Sequence, residues 1–196
     1  MKYIFLDIET VPMRIEHEDV KQYLMDKKIS KEERSYNPLY SKIITIGMKT
    51  FNESTEMLIG KEKEMLEQFW GKLKGLNTIL VTYNGYKFDI PFIVLRSIIN
   101  NVKIPFSINL NKWQMEKSNH FDVMLFFSQN ETFVNPNLRI LGKMYGIESD
   151  DKLYGYDIER LYHEGRLEDI KKKCETDIEV LEKLFLKFCK EHVESV

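Results

Sequence analysis

At 196 residues the chain suits one domain and is short for two with separate cores. Its 43% apolar content, with 12% aromatics, suffices for a sizeable core. A formal net charge of −2 excludes coating of nucleic acid by bulk positive charge, though not binding through metal ions and a local patch.

Lys2 to Ile8 alternates and is rich in β-branched and aromatic residues, which predicts a strand. Asp7 and Glu9 stand at its end. Residues two apart on a strand share a face, so the two carboxylates project together from Cα atoms about 7 Å apart. A polar, charge-dense segment from Pro12 to Ser41 follows, reading as an insertion over one edge with one helix around His17 to Lys28. Lys42–Phe51 and Thr55–Ile59 form two strands of a hairpin turned by Asn52-Glu53-Ser54. Helical spacing of Met65, Leu66, Phe69, Trp70 and Leu73 predicts a helix over Lys61–Lys74. Asn77–Tyr83 is a continuous apolar strand of the type buried on both faces.

Asn84-Gly85 breaks that strand. The spacing of Phe88, Phe92, Leu95 and Ile99 then predicts a helix with Asp89 near its N-cap and Pro91 in its first turn. Asn100 to Asn119 reads as loop, and a short strand is expected around His120–Val123. Helical pieces are expected over Asn137–Tyr145 and Asp157–Glu164, and a long last helix over Leu167–His192. Cys174 and Cys189 fall in that helix about 22 Å apart, too far to pair. No stretch is long or apolar enough to cross a membrane, and no signal-peptide pattern opens the chain. A reduced, intracellular, cytoplasmic protein is the expectation.

In the last helix Ile170, Cys174, Leu181, Leu184 and Phe188 form an apolar seam, and Asp177 falls within it. A carboxylate on a packing face is costly unless paired or metal-bound. A buried salt bridge would explain Asp177 alone. It would not explain why the first strand also supplies Asp7 and Glu9, and a helix start Asp89. Four such acids can hold two divalent ions roughly 4 Å apart, the arrangement that serves in-line phosphoryl displacement.

Asp7-Ile8-Glu9-Thr10-Val11-Pro12 resembles the first motif of the DEDD 3′–5′ exonuclease superfamily, which has a DnaQ-like, ribonuclease H-like fold. Asn84-Gly85-Tyr86-Lys87-Phe88-Asp89 resembles its second motif, Asn-x3-Phe/Tyr-Asp, in the exonuclease domains of B-family DNA polymerases. Val81 through Pro91 with Leu95-Arg96, then His120-Phe121-Asp122, and Ile170 through Ile178 are similar to stand-alone predicted exonucleases related to those domains. The likeness spans the chain apart from the insertion.

The resemblance implies an α/β fold, a mixed five-stranded sheet with its first three strands antiparallel and helices around it. It implies a single 3′–5′ exonuclease-like domain over residues 1–196. Asp7, Glu9, Asp89 and Asp177 would be metal-binding and catalytic, with two Mg2+ or Mn2+ ions as cofactors. Thr10, Asn84 and Phe88 would bind the 3′-terminal strand. Asp122 is open to a place near the site or a role as helix cap, and His120 reads as a packing residue.

The third motif departs from the superfamily pattern, because Lys173 stands where a Tyr is found in one branch and Lys172 where a His is found in the other. Lys173 is one turn before Asp177. Three readings are open: a solvated lysine of the Lys171–Lys173 run, a catalytic contact to the scissile phosphate or attacking water, or replacement by His163, Tyr154 or Tyr156. Lys87, Lys112, Trp113 and Lys117 offer a strand-binding rim or plain surface. The expected activity is release of nucleotides from the 3′ end of single-stranded DNA. An exoribonuclease and a weakened nuclease fold acting as a nucleic-acid-binding module are the alternatives. A polymerase or repair partner is consistent with the resemblance and is not identified by any residue.

Overall fold

The computed structural model describes residues 2–73, 77–105, 107–113, 118–134, 137–149 and 152–194, without the side chains of Glu32 and His192. Five strands, β1 (Lys2–Pro12), β2 (Ser41–Thr50), β3 (Thr55–Ile59), β4 (Thr78–Thr82) and β5 (His120–Asp122), lie in the order β3-β2-β1-β4-β5. β1, β2 and β3 pair antiparallel, whereas β4 runs parallel to β1 and β5 parallel to β4. The expected mixed sheet, antiparallel in its first three strands, is present.

β1 is central, and its side chains alternate between two apolar layers. Ile4, Leu6 and Ile8 pack with α3 (Glu62–Leu73) and α4 (Asp89–Ile99) through Met65, Phe69, Ile90 and Ile93. Tyr3 and Phe5 pack on the opposite face with α8 (Leu167–Phe188) through Cys174, Ile178, Leu181 and Phe185. Asp7 and Glu9 continue the odd-numbered row, so period-two geometry carries them onto the α8 face.

The close approach of α8 depends on Gly47, the partner of Asp7 across the β1–β2 ladder. A Cβ there would lie 2.5 Å from Ile178 Cδ1 and 2.7 Å from Cys174 Sγ. Lys173 and Asp177 each immediately precede one of those contacts. A hydrogen in place of a side chain on β2 thus sets how deeply α8 settles.

The segment between β1 and β2 holds α1 (Glu18–Asp26) and α2 (Lys31–Ser35), the latter started by a capping box of Ser30 and Glu33. Arg96 fastens the segment. Its buried guanidinium meets Glu62 at 2.8 and 2.6 Å and donates to the Pro38 carbonyl at 3.1 Å. Ser41 Oγ donates to the Arg34 carbonyl at 2.6 Å.

Other differences from the local pattern have long-range causes. β1 runs on to Pro12 because β2 pairs with it beyond an irregularity at Glu9/Thr10. Asp122 caps a helix absent from the expected set, α5 (Val123–Phe127), by accepting from Met124 N and Leu125 N. After α6 (Leu138–Met144) and α7 (Ile158–His163), the last helix ends at Phe188. Cys189, at φ −109°, separates it from α9 (Lys190–Glu194). Cys174 and Cys189 are both buried and free. Among the described residues no helix is long and apolar enough to cross a membrane.

Candidate active site

The four carboxylates arrive from three elements: Asp7 and Glu9 from β1, Asp89 from the start of α4, and Asp177 from α8. Asp89 is buried and accepts from the Ile8 backbone N–H at 3.2 Å, which ties the α4 start to the strand between the first two acids. Burial pushes the Asp89 pKa up to about 8, against the pull of that hydrogen bond. Asp7 is raised well above the carboxylate range, first by burial and then by Glu9 beside it. Asp7 Oδ2 is buried and has no hydrogen-bond partner among the described residues.

The other end of the cluster is different. Lys173 is buried, and its Nζ donates to Glu9 Oε1 at 2.6 Å and to Asp177 Oδ2 at 2.8 Å. Burial works against its charge, but Glu9, Asp177 and Asp7 outweigh that cost and lift its pKa well above the usual lysine range. It is a buried ammonium, not a solvated member of its run. Asp177 Oδ1 receives a second cation, Arg139 of α6, at 3.4 Å from Nε. Glu9 is raised by burial, opposed by Lys173.

Cys174 Sγ faces the Asp7 carbonyl at 3.7 Å, and Asp7, Glu9 and Cys174 offer ligand atoms within 4.8 Å of one another. Burial holds that thiol well above its ordinary pKa. A hard divalent ion selects the oxygens. The unpartnered Asp7 oxygen and the all-carboxylate donor set therefore fit such a cation.

The turn from β4 to α4 is built for Asp89. Asn84 adopts φ +68°, and a Cβ on Gly85 would lie 2.2 Å from Thr82 Oγ1. Asp122 accepts from Asn84 N at 3.0 Å and Tyr86 N at 3.1 Å, so the α5 cap also fastens the turn. His120 lies 2.8 Å from Thr82 Oγ1 through Nε2 and stacks on Tyr86 at 4.4 Å. Burial drives its pKa down to about 3, making it a neutral packing residue. Thr10 is buried and donates to the Ser35 carbonyl at 2.7 Å, joining β1 to α2.

Phe88 meets Tyr36 of the insertion edge-on at 5.6 Å. A groove lined by Tyr36, Leu138, Arg139, Tyr154 and Tyr156 leads to Lys173 and Asp177. The two latter tyrosines are stacked at 5.2 Å and 11°, and Arg139 lies 5.1 Å from the Tyr154 ring. His163 is exposed on α7 and faces Glu159 at 3.7 Å. Lys87 and Lys112 both contact Glu131, with Trp113 exposed beside Lys112; Lys117 lies outside the described residues. Sequence reasoning missed Arg139 and Tyr36. Tyr36 comes from the insertion, which carries no apolar periodicity, and Arg139 from a helix too short for its pattern to aim it.

A family model described as a predicted 3′–5′ exonuclease related to the exonuclease domain of PolB matches residues 36–194. Asp89 and Asp177 lie inside that range, and Asp7 and Glu9 ahead of it. The comparison with curated proteins returns no match. Among solved structures, the family B DNA polymerase of the hyperthermophilic archaeon Pyrobaculum calidifontis superposes with a TM-score of 0.69 at 12% identity. The superposition covers 95% of this chain and 24% of that polymerase. The fold is thus the ribonuclease H-like one, as expected.

Proposed function

The chain belongs to the family of predicted 3′–5′ exonucleases related to the exonuclease domain of PolB, and on that premise we propose that it releases nucleotides from the 3′ end of single-stranded DNA in a divalent-metal-dependent hydrolysis. The observation that carries the reading is the convergence of Asp7, Glu9, Asp89 and Asp177, with a buried Asp7 oxygen that has no hydrogen-bond partner among the described residues. These four acids would hold Mg2+ or Mn2+. When bound, such a cation supplies Lewis-acid stabilisation of the charge that develops on the phosphoryl group.

The chain's own residues supply position. Asp89 is anchored to the backbone of Ile8, and Asp177 is held between Lys173 and Arg139. Tyr156, stacked on Tyr154, offers an exposed ring in the groove that leads to Asp177, suited to stacking of unpaired bases without base-specific readout. Phe88 and Tyr36 place a second aromatic pair beside the Asp89 turn. The two buried free thiols accord with a reducing, intracellular setting.

The test incubates purified protein with 5′-labelled single-stranded DNA and RNA in Mg2+ and in Mn2+. A ladder shortening from the 3′ end on DNA, lost on chelation and in Asp177→Ala, is expected. Shortening of RNA alone would change the substrate class. The ion pairs of Lys173 with Glu9 and Asp177 favour one second reading, a weakened nuclease that binds strands, and inactivity on both polymers at high Mn2+ would select it.

A further inference from the structure

The acid cluster is electrostatically lopsided. Both oxygens of Asp177 receive a side-chain cation, Lys173 at 2.8 Å and Arg139 at 3.4 Å, and Glu9 Oε1 receives Lys173 at 2.6 Å. Asp89 accepts from backbone N–H groups, Ile8's at 3.2 Å among them, and Asp7 Oδ2 has no partner among the described residues. Four carboxylates carry four negative charges when ionised, and Lys173 and Arg139 return two. In the absence of a bound phosphate, one divalent cation restores neutrality and a second would leave a double positive excess.

We propose that Lys173 occupies the place of a second metal, so that the site takes a single divalent cation centred on Asp7. This rests on the exonuclease reading for the use of the four acids as a metal site. The ammonium is built in from both sides. Gly47 lets α8 settle until Cys174 and Ile178 would touch its absent Cβ, which carries the preceding Lys173 over Glu9. The i,i+4 step from Lys173 to Asp177 then closes the second ion pair within one turn of the helix. With side-chain exposures of 8% for Lys173 and 7% for Glu9, this pair is not a fluctuating surface contact. Removing the lysine would leave Glu9 and Asp177 short of one cation and open their oxygens to another ion.

The experiment counts ions on the intact chain. Isothermal titration with Mn2+, backed by electron paramagnetic resonance of free Mn2+, is run with and without saturating thymidine 5′-monophosphate, a product-like ligand that brings its own phosphate. Wild type is expected to bind one Mn2+ under both conditions. Lys173→Gln and Lys173→Tyr, checked for folding by circular dichroism, are expected to bind two. Two ions in wild type under either condition, or none, would overturn the proposal, as would a folded variant that still binds one.

Should neither variant fold, anomalous scattering from Mn2+-soaked wild-type crystals decides alone. One peak beside Asp7 with Lys173 still on Glu9 and Asp177 supports the proposal, and two peaks refute it. The outcomes separate it from the functional reading. One bound ion without any ladder would remove the exonuclease and leave the single-ion site, whereas an active enzyme with two ions would do the reverse.

Discussion

The two faces of the sheet are built on different terms. Toward α3 and α4, β1 presents Ile4, Leu6 and Ile8 to Met65, Phe69, Ile90 and Ile93, apolar against apolar. Toward α8 it begins the same way with Tyr3 and Phe5, then places Asp7 and Glu9 where the same pattern would put two more hydrophobes. Burying like charges opposes folding, so at this end the second face gives up stability that the first face keeps. Functional strain sits at one end of one face, and the rest of the core holds it there.

The largest effect that sharpens this contrast is on Asp7. Asp7→Asn is expected to lower exonuclease rates by more than about 100-fold, beyond what loss of a group behind a metal ligand costs. In chelator its thermal midpoint should equal or exceed wild type, because burial and Glu9 disfavour the ionised Asp7. A clear drop in that midpoint would mean Asp7 is structural. On the opposite face, Phe69→Ala should cost about 3–5 kcal/mol in urea unfolding. Its activity per folded molecule should be unchanged, and a parallel loss of activity would erase the distinction between the faces.

His120 gives a pH-dependent version of the same comparison. Its folded pKa is lowered to about 3, so below about pH 6.5 the unfolded chain binds a proton that the folded one refuses. Stability from this group is full above pH 6.5 and is lost as pH falls toward 3, on the order of a few kcal/mol. Denaturation of His120→Gln across that range should show a shallower acid slope than wild type, and equal slopes would contradict the assignment. The smallest change is Gly47→Ala. The added methyl must displace Ile178 and Cys174, at about 1–3 kcal/mol, and should reduce activity by shifting Lys173 and Asp177. Loss of stability with full activity would show that α8 depth does not set the site.

What was legible in the sequence follows its periodicities. The alternation of β1 placed Asp7 and Glu9 on one face, the seam of α8 singled out Asp177, and the apolar spacing from Phe88 to Ile99 with Pro91 put Asp89 at a helix start. Those signals are local. Arg139 could not be read this way, because α6 is short and its approach to Asp177 is decided by packing far along the chain. The charge at Lys173 was visible, but three lysines in a row leave one exposed by default. Only the depth set by Gly47 shows that this one is buried. The continuation of β1 to Pro12 likewise depends on partners from β2 that lie beyond the insertion.

The irregularity between Glu9 and Thr10 has a consequence for how this protein can change over evolutionary time. On the acid side of it, Ile4 to Glu9 pair with Thr45 to Thr50; beyond it, Thr10 to Pro12 pair with Ser41 to Ile43. The two stretches are in separate registers, with Ile44 between them. The connecting segment can therefore gain or lose residues, or be exchanged for another, and the slack is taken up before it reaches the pairing of Asp7 with Gly47. The length of the connecting segment and the placement of the acids are thereby decoupled within a single strand pair.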